Sequence, residues 1–282
     1  MHKFTHSRRN ALFSVAFLLG GCTSIKNHVR ELPTPSSVEE LNERLLLVDG
    51  YYVTMYSPSG AGPFPLIVLN HGHDGISYPM SWDQPRWRPS LIAREFVRRG
   101  YAVAVPMRNG YAKSGSRPVG HFLIQHADVI DVLKSLHHVP TLDMSRVVLV
   151  GQSLGGAVTM MLASRKGDIA GLKGVINFAG AMGPNIPFDA VLRAVSRPEN
   201  VPALWIYGDT DHATSPAYLR VMEEAYLSNA APLRVTRISL KKSTNDHYMI
   251  SMKDRFPLFM PDVDAFLGEL GLPNVPLADL EP

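Results

Sequence analysis

Cysteine, long apolar runs, clustered charge and internal repeats are all scarce in this chain of 282 residues. Its single cysteine, Cys22, excludes an intramolecular disulfide. The N-terminal apolar run, residues 11–19, is far shorter than the roughly 20 residues that a membrane-spanning helix needs. No period of about 20 to 50 residues recurs, which excludes a solenoid or a propeller. What is present, 45% hydrophobic and 19% charged residues, is typical of a globular protein with one large core.

The excess of positive over negative charge lies at the N-terminus. The chain has 28 Lys and Arg against 25 Asp and Glu, and three of the basic residues, Lys3, Arg8 and Arg9, precede residue 22. The remaining sequence is balanced and holds no block of Lys or Arg. It therefore offers no electrostatic footprint for a polyanion, and no nucleic-acid partner is predicted.

The first residues have the pattern of an export signal. A short basic stretch precedes the apolar run at 11–19, and Gly20, Gly21 and Cys22 follow. The segment Leu19-Gly-Gly-Cys22 resembles the lipobox of bacterial lipoproteins. That resemblance implies that Cys22 is lipidated and anchors an exported protein to a membrane, and Thr23 after it favours the outer membrane, on the periplasmic side. Residues 7–12 are also similar to a twin-arginine signal, so the export route stays open.

Short apolar segments alternate with helical patterns through the rest of the chain. A hairpin is predicted at Leu45–Val48 and Tyr51–Tyr56, joined by Asp49-Gly50. Strands are then expected at 66–69, 102–105, 147–150, 174–178, 203–207 and 233–240, and helices near 91–99, 122–137, 155–163, 216–227 and 261–270. This alternation predicts an α/β fold, a mostly parallel twisted sheet with helices on both faces.

The segment Gly151-Gln-Ser-Leu-Gly155 stands directly between a predicted strand and a predicted helix. In that context G-x-S-x-G is a sharp strand-to-helix turn that lifts the hydroxyl of Ser153 above the sheet edge. Glycine is needed at 151 and 155 because the turn brings the flanking backbones too close for side chains. Ser153 is therefore the candidate nucleophile, and the backbone N–H of Leu154 is a candidate donor to the oxyanion.

A serine hydroxyl needs a histidine base that is oriented by a carboxylate, and in this arrangement the acid and then the histidine follow the serine along the chain. Two loops after predicted strands offer them. The first holds Asp209, Asp211 and His212, and the second holds Asp246 and His247.

These motifs resemble the α/β-hydrolase superfamily, over about residues 45–270. The resemblance implies that the acid is Asp211, three residues after Gly208, whereas Asp209 forms or caps the turn. The base is then His247, because His212 is adjacent to Asp211 and neighbouring loop side chains seldom face each other. The loop His71-Gly-His73 is similar to the family's His-Gly-x segment, which implies that the backbone N–H of His73 is the second oxyanion donor and that His71 is structural.

The same His71-x-His73 pair raises a metal hydrolase as a rival interpretation. The metallo-β-lactamase pattern continues to an Asp-His pair, whereas this chain has Gly75 and Ile76 there. No metal and no cofactor are therefore predicted.

The Pro65–Gly72 and Gly151–Gly156 segments resemble the dienelactone-hydrolase-like and esterase branch, although true dienelactone hydrolases use cysteine where this chain has Ser153. The resemblance implies a serine hydrolase that cleaves carboxylic esters. A peptidase or amidase of the same fold and a non-catalytic binding module are the alternatives. A small lid is expected at 181–200, and Tyr78, Trp82 and Trp87 either line the entrance or pack as core residues.

Four segments are predicted along the chain. Residues 1–21 form a lipoprotein signal peptide, 22–40 a polar tether, 41–272 the α/β-hydrolase domain, and 273–282 a C-terminal tail.

Overall fold

The computed structural model describes residues 29–33, 41–73, 86–115, 125–180, 200–211, 213, 216–228, 232–238 and 245–277. Within these ranges no helix combines the length and the apolarity needed to cross a bilayer. Cys22, His212, Tyr78, Trp82 and the expected lid at 181–199 lie outside the described residues.

One nine-stranded sheet organises the described residues. Its strands are β1 (Val29–Leu32), β2 (Arg44–Val48), β3 (Tyr51–Tyr56), β4 (Phe64–Asn70), β5 (Ala102–Pro106), β6 (Leu142–Gln152), β7 (Leu172–Phe178), β8 (Ala203–Gly208) and β9 (Leu233–Ile238), in the spatial order β1-β2-β3-β5-β4-β6-β7-β8-β9. The first three strands pair antiparallel, and every pair from β5 to β9 is parallel. The predicted mostly parallel α/β sheet is confirmed.

Among the described residues, five helices of eight or more residues cover the two faces: α1 (Ser90–Val97), α2 (Gln125–Leu136), α3 (Leu154–Ala163), α4 (Pro216–Leu227) and α5 (Phe256–Glu269). Side chains of α2, α3 and α4 share one buried cluster with the sheet, and those of α1 and α5 share the other. Because each strand core is buried on both sides, the strands are continuous apolar runs rather than alternating ones. The predicted helices on both faces are also confirmed.

The hairpin of β2 and β3 follows the predicted turn. Val48 pairs with Tyr51, and Asp49 and Gly50 both have positive φ, at 48° and 88°. Positive φ at both positions is the geometry whose twist matches the flanking strands.

Two predictions about the chain ends are corrected. Val29–Leu32, predicted as tether, pairs with β2 as the edge strand β1, because its backbone groups complete a ladder although none of its side chains is fully buried. The last helix begins at Phe256 rather than near Pro261. Pro257 takes the first-turn position where a missing N–H has no consequence, and Pro261 lies inside the helix one turn later.

Part of the predicted C-terminal tail packs on the domain. The Tyr101 hydroxyl donates a hydrogen bond to the carbonyl of Pro273 (2.6 Å), and the Leu277 N–H donates to the carbonyl of Arg98 (2.7 Å). The folded unit therefore extends beyond residue 272.

Candidate active site

The turn at Ser153 is strained in the way its sequence predicts. β6 ends at Gln152, α3 begins at Leu154, and Ser153 between them has φ 54° and ψ −122°. Positive φ is uncommon for a residue with a side chain, and such strain is retained only where the surroundings enforce it. Here the Ser153 N–H is held by the carbonyl of Phe178 (3.1 Å). The hydroxyl is thus presented at the carboxyl edge of the sheet.

The flanking glycines are required by close backbone approach. A Cβ on Gly151 would lie 2.2 Å from the carbonyl oxygen of Gly155, and a Cβ on Gly155 would lie 2.1 Å from that of Asn70. Both separations are far inside van der Waals contact with backbone that cannot swing away. The predicted crowding by the turn's own backbone is confirmed at Gly151, whereas Gly155 is crowded by the end of β4 at Asn70.

Three predicted side chains meet at this edge. His247 Nε2 lies 2.8 Å from Ser153 Oγ, and His247 Nδ1 lies 3.1 Å from each carboxylate oxygen of Asp211. Because an ionised carboxylate can only accept, the Nδ1–H donates to Asp211 and Nε2 is left to accept from the serine hydroxyl. The tautomer needed for a general base therefore follows from the contacts themselves.

Asp211 and His247 are both withdrawn from solvent. Asp211 follows β8 in the loop that starts at Gly208, its side chain is 2% exposed, and its Oδ1 also accepts the Ala213 N–H at 2.8 Å. His247 lies in a short 3₁₀ helix, Asp246–Ser251, with its N–H held by Asn245 Oδ1. Fixed donors on the acid and a fixed backbone at the base limit the orientations that the pair can adopt.

Asp209 lies in the turn after β8, as predicted, and not beside the histidine. It is exposed, and its N–H donates to the carbonyl of Ile238 (2.9 Å) as part of the turn after β8. Of the two acids in this loop, only Asp211 contacts His247.

Asp246, next to the histidine, is fully buried and ties two loops together. Its carboxylate accepts a hydrogen bond from the Thr210 hydroxyl and lies 3.5 Å from Arg255 Nε. The bond joins the loop that carries Asp211 to the segment that carries His247. Tyr248, by contrast, is 53% exposed with its ring edge-on to the imidazole at 5.3 Å, at the rim of the site.

The predicted oxyanion donors flank the serine. Leu154 is the first residue of α3, so its N–H is among those that have no partner within the helix. On the other side the loop after β4 packs on the turn, since a Cβ on Gly72 would lie 3.2 Å from Ser153 Cβ and 2.4 Å from Gln152 Oε1. Glycine at 72 thus lets the backbone that leads to His73 approach the nucleophile.

His71 and His73 have different surroundings. The buried His71 ring donates through Nδ1 to the Gly72 carbonyl (2.7 Å) and accepts the Arg108 N–H through Nε2 (3.1 Å). Burial, and secondarily the charge of Arg108, hold the pKa of His71 well below its usual value. Both ring nitrogens have protein partners, which is incompatible with a metal-ligand role in this state. The half-buried His73 contacts the Tyr111 hydroxyl through Nδ1 (3.2 Å).

Trp87 is described and half-buried, and it packs against Met107, Tyr111 and Ala112 and against the α1–α5 side of the core. Its packing role is therefore established.

Two contacts around the site were missed from sequence. Gln152 donates to the His247 carbonyl (2.9 Å), and Arg108 donates to the Gly72 carbonyl (3.4 Å). Their only signal was position, since both stand at the carboxyl end of a predicted central strand, where convergent side chains are expected.

The alpha/beta hydrolase family model matches residues 66–278, which include every candidate site residue of the sheet edge. This chain belongs to the alpha/beta hydrolase family. Among characterised proteins, the non-heme chloroperoxidase of Burkholderia pyrrocinia is 28% identical over 148 residues, 52% of this chain and 45% of that one. The hydrolase chain thus aligns with less than half of that relative.

Solved structures share the fold of this alpha/beta hydrolase. A dienelactone hydrolase candidate from Klebsiella pneumoniae has a TM-score of 0.53 and 17% identity, with 83% of this chain and 96% of that one covered. Thermogutta terrifontis esterase 2, phosphorylated by paraoxon, has a TM-score of 0.57 and 15% identity, with 88% and 96% covered. At these identities the likeness establishes the fold alone.

Proposed function

We propose that this hydrolase cleaves carboxylic esters through an acyl-enzyme formed on Ser153. The observation that carries the proposal is the continuous contact from Asp211 through His247 to Ser153, with separations of 3.1 Å and 2.8 Å. A hydroxyl, a correctly oriented imidazole and a buried carboxylate are together the requirements for a serine nucleophile at neutral pH.

In the acylation step, Ser153 Oγ attacks the ester carbonyl as its proton passes to His247 Nε2. Asp211 stabilises the imidazolium through the Nδ1–H bond and stays ionised. The tetrahedral intermediate collapses when the C–O bond breaks and His247 returns the proton to the departing alcohol. Water then loses a proton to the same nitrogen and attacks the acyl-enzyme. The bond between Ser153 Oγ and the acyl carbon breaks, His247 returns the proton to Oγ, and the acid leaves.

The oxyanion that forms in both steps needs donors beside Ser153. The backbone N–H groups of Leu154 and His73 are the proposed pair, and each such donor contributes on the order of 3 kcal/mol to the transition state. The proposed substrate is a small ester of short or medium acyl length. No cofactor or metal is part of the proposal.

A substrate panel tests the reaction class. We expect the purified mature protein to hydrolyse p-nitrophenyl esters, with an initial burst of p-nitrophenol equal to the enzyme concentration, and to leave an alanyl p-nitroanilide uncleaved. Ser153→Ala should lose both burst and turnover, whereas Ser164→Ala, at the C-cap of α3, should keep them. Faster cleavage of the anilide would indicate an amidase. No turnover of any substrate would favour a binding module, and turnover that survives in Ser153→Ala would overturn the proposal.

We further propose that the protein is exported and held on the periplasmic side of a bacterial membrane, with the outer membrane favoured, by acyl chains on Cys22. The support is the basic and apolar order of residues 1–21 and the Leu19–Cys22 segment. Wild type expressed with an alkynyl fatty acid should be labelled and sediment with membranes, and Cys22→Ser should be unlabelled. A labelled Cys22→Ser variant, or unlabelled wild type in the soluble fraction, would contradict the anchor.

A further inference from the structure

Arg108 is a fully buried cation behind the loop that carries the proposed oxyanion donor. Its Nε–H donates to Gln125 Oε1 (2.7 Å), an Nη2–H donates to the Gly72 carbonyl (3.4 Å), and the guanidinium lies 5.4 Å from the centre of the Tyr111 ring. Among the described residues its Nη1 has no hydrogen-bond partner. All of these contacts are with neutral groups.

The charge of Arg108 is therefore little compensated. Burial lowers the pKa of Arg108, yet a guanidinium stays protonated in proteins. Asp128 is near enough to interact with it, but the two Asp128 oxygens accept hydrogen bonds from the Tyr51 hydroxyl (3.1 Å) and the Asn109 N–H (2.9 Å). A buried cation without a direct carboxylate partner destabilises a fold. A packing role alone therefore does not explain why a charged residue occupies this position.

The Gly72 carbonyl oxygen accepts two hydrogen bonds, and both depend on Arg108. The side chain of Arg108 contacts this oxygen directly. Its backbone N–H donates to His71 Nε2, which leaves the His71 proton on Nδ1, where it donates to the same oxygen over 2.7 Å.

That carbonyl and the His73 N–H belong to a single peptide group. In a trans peptide the two bonds point in opposite directions, so donors on the carbonyl fix the direction of the N–H. Hydrogen bonds in series also polarise one another, and a charged donor polarises more than a neutral one. Two donors on the oxygen of Gly72 thus make the His73 N–H a stronger and better aligned donor.

We propose that Arg108 is a positioning residue for the oxyanion hole, which holds the Gly72–His73 peptide and strengthens its N–H through a positive charge that no direct carboxylate contact among the described residues neutralises. The inference rests on the proposed function and deepens it. Gly72 packs directly on Ser153, so the polarised peptide adjoins the reacting oxygen. Since the charge is needed only when the oxyanion forms, Arg108 acts on kcat rather than on ground-state binding.

Gln125→Glu is the sharpest test. Glutamate has the shape of glutamine and accepts the same Nε–H bond, so the contact stays. Its negative charge neutralises the guanidinium of Arg108, which keeps its own charge. We expect kcat for a p-nitrophenyl ester to fall about fivefold or more with KM within about twofold. The inhibition constant of butylboronic acid, which forms a tetrahedral anion on serine, should rise in step. The urea midpoint should be unchanged or higher, because a buried ion pair replaces a lone cation.

Arg108→Met and Arg108→Lys provide a second test of the role of the Arg108 charge. Methionine removes the charge and should lower kcat further, while lysine, which keeps the charge, should restore part of it. Arg99→Met is the matched control, since Arg99 is equally buried but is bound by Asp264 and Glu95 away from the site. It should lose stability and keep kcat. If Arg108→Met does not fold, Gln125→Glu still decides.

A folded Gln125→Glu with the kcat of wild type, or with its whole loss in KM, would overturn the inference and leave the proposed function intact. A wild-type protein that hydrolyses no ester would overturn the proposed function first, whatever the variants do.

Discussion

The side-chain amide of Gln152 donates a hydrogen bond to the backbone carbonyl of His247 over 2.9 Å. Gln152 directly precedes Ser153 and is itself buried. The bond therefore links the end of the strand that carries the proposed nucleophile to the segment that carries the proposed base. These residues are 95 positions apart in sequence, and a short side-chain link fixes their separation more firmly than the intervening chain could.

Replacing Gln152 by Leu should lower kcat about tenfold or more, because displacing the base by even about 1 Å from the nucleophile strongly lowers the reaction rate. KM should change little. Steady-state hydrolysis of a p-nitrophenyl ester measures both. Tyr226→Phe is the control, since it removes another buried bond to a backbone carbonyl, that of Val201, away from the site. It should lose about 1 kcal/mol of unfolding free energy and keep kcat. Equal kcat values in Gln152→Leu and wild type would refute the link.

The two acids after β8 should differ sharply. Asp211→Asn keeps the shape of the side chain but can no longer stabilise an imidazolium, and it favours the wrong histidine tautomer, so kcat should fall by about 10³ to 10⁴. Asp209→Asn, in the same loop but exposed and without contact to His247, should stay within about twofold of wild type. The kcat values of the two variants, measured near neutral pH, test this assignment. A larger loss in Asp209→Asn than in Asp211→Asn would make Asp209 the acid of the triad.

Acid should destabilise this protein through His71. Its pKa is depressed by burial, so the folded protein keeps it neutral while the unfolded chain takes up a proton below the ordinary value near 6.5. Its contribution to stability is complete above that value and is lost as the pH falls toward the folded-state pKa, at about 1 kcal/mol per pH unit.

Urea unfolding from about pH 7.5 to about pH 5.5 measures this slope. His71→Asn, which can still donate to the Gly72 carbonyl, should be less stable at neutral pH but lose less on acidification. His137→Asn changes an exposed histidine and should keep the wild-type slope. If the slopes of His71→Asn and wild type coincide, His71 is not the group that responds.

The parts of the fold that follow from local rules could be predicted from sequence. The Asp49-Gly50 turn and the steric demand at Gly151 are each set by a few adjacent residues, and the structure reproduces them. The meeting of Ser153, Asp211 and His247 followed because carboxyl ends of parallel strands share one edge.

The remainder depends on contacts that no local pattern encodes. β1 has no strong apolar alternation, and it is a strand only because β2 offers a free edge. Pro261 resembles a helix start, but tertiary packing extends the helix back to Phe256. The bonds of Gln152 and Arg108 join segments that are distant in sequence, so they became visible only once the sheet had brought those segments together.

Mass spectrometry of the protein after treatment with a fluorophosphonate shows directly which residue is the nucleophile. We expect one stoichiometric adduct, located on the peptide that contains Ser153, with labelling abolished in Ser153→Ala and strongly slowed in His247→Gln. An adduct on any other residue, or a folded wild type that takes up no probe, would contradict it.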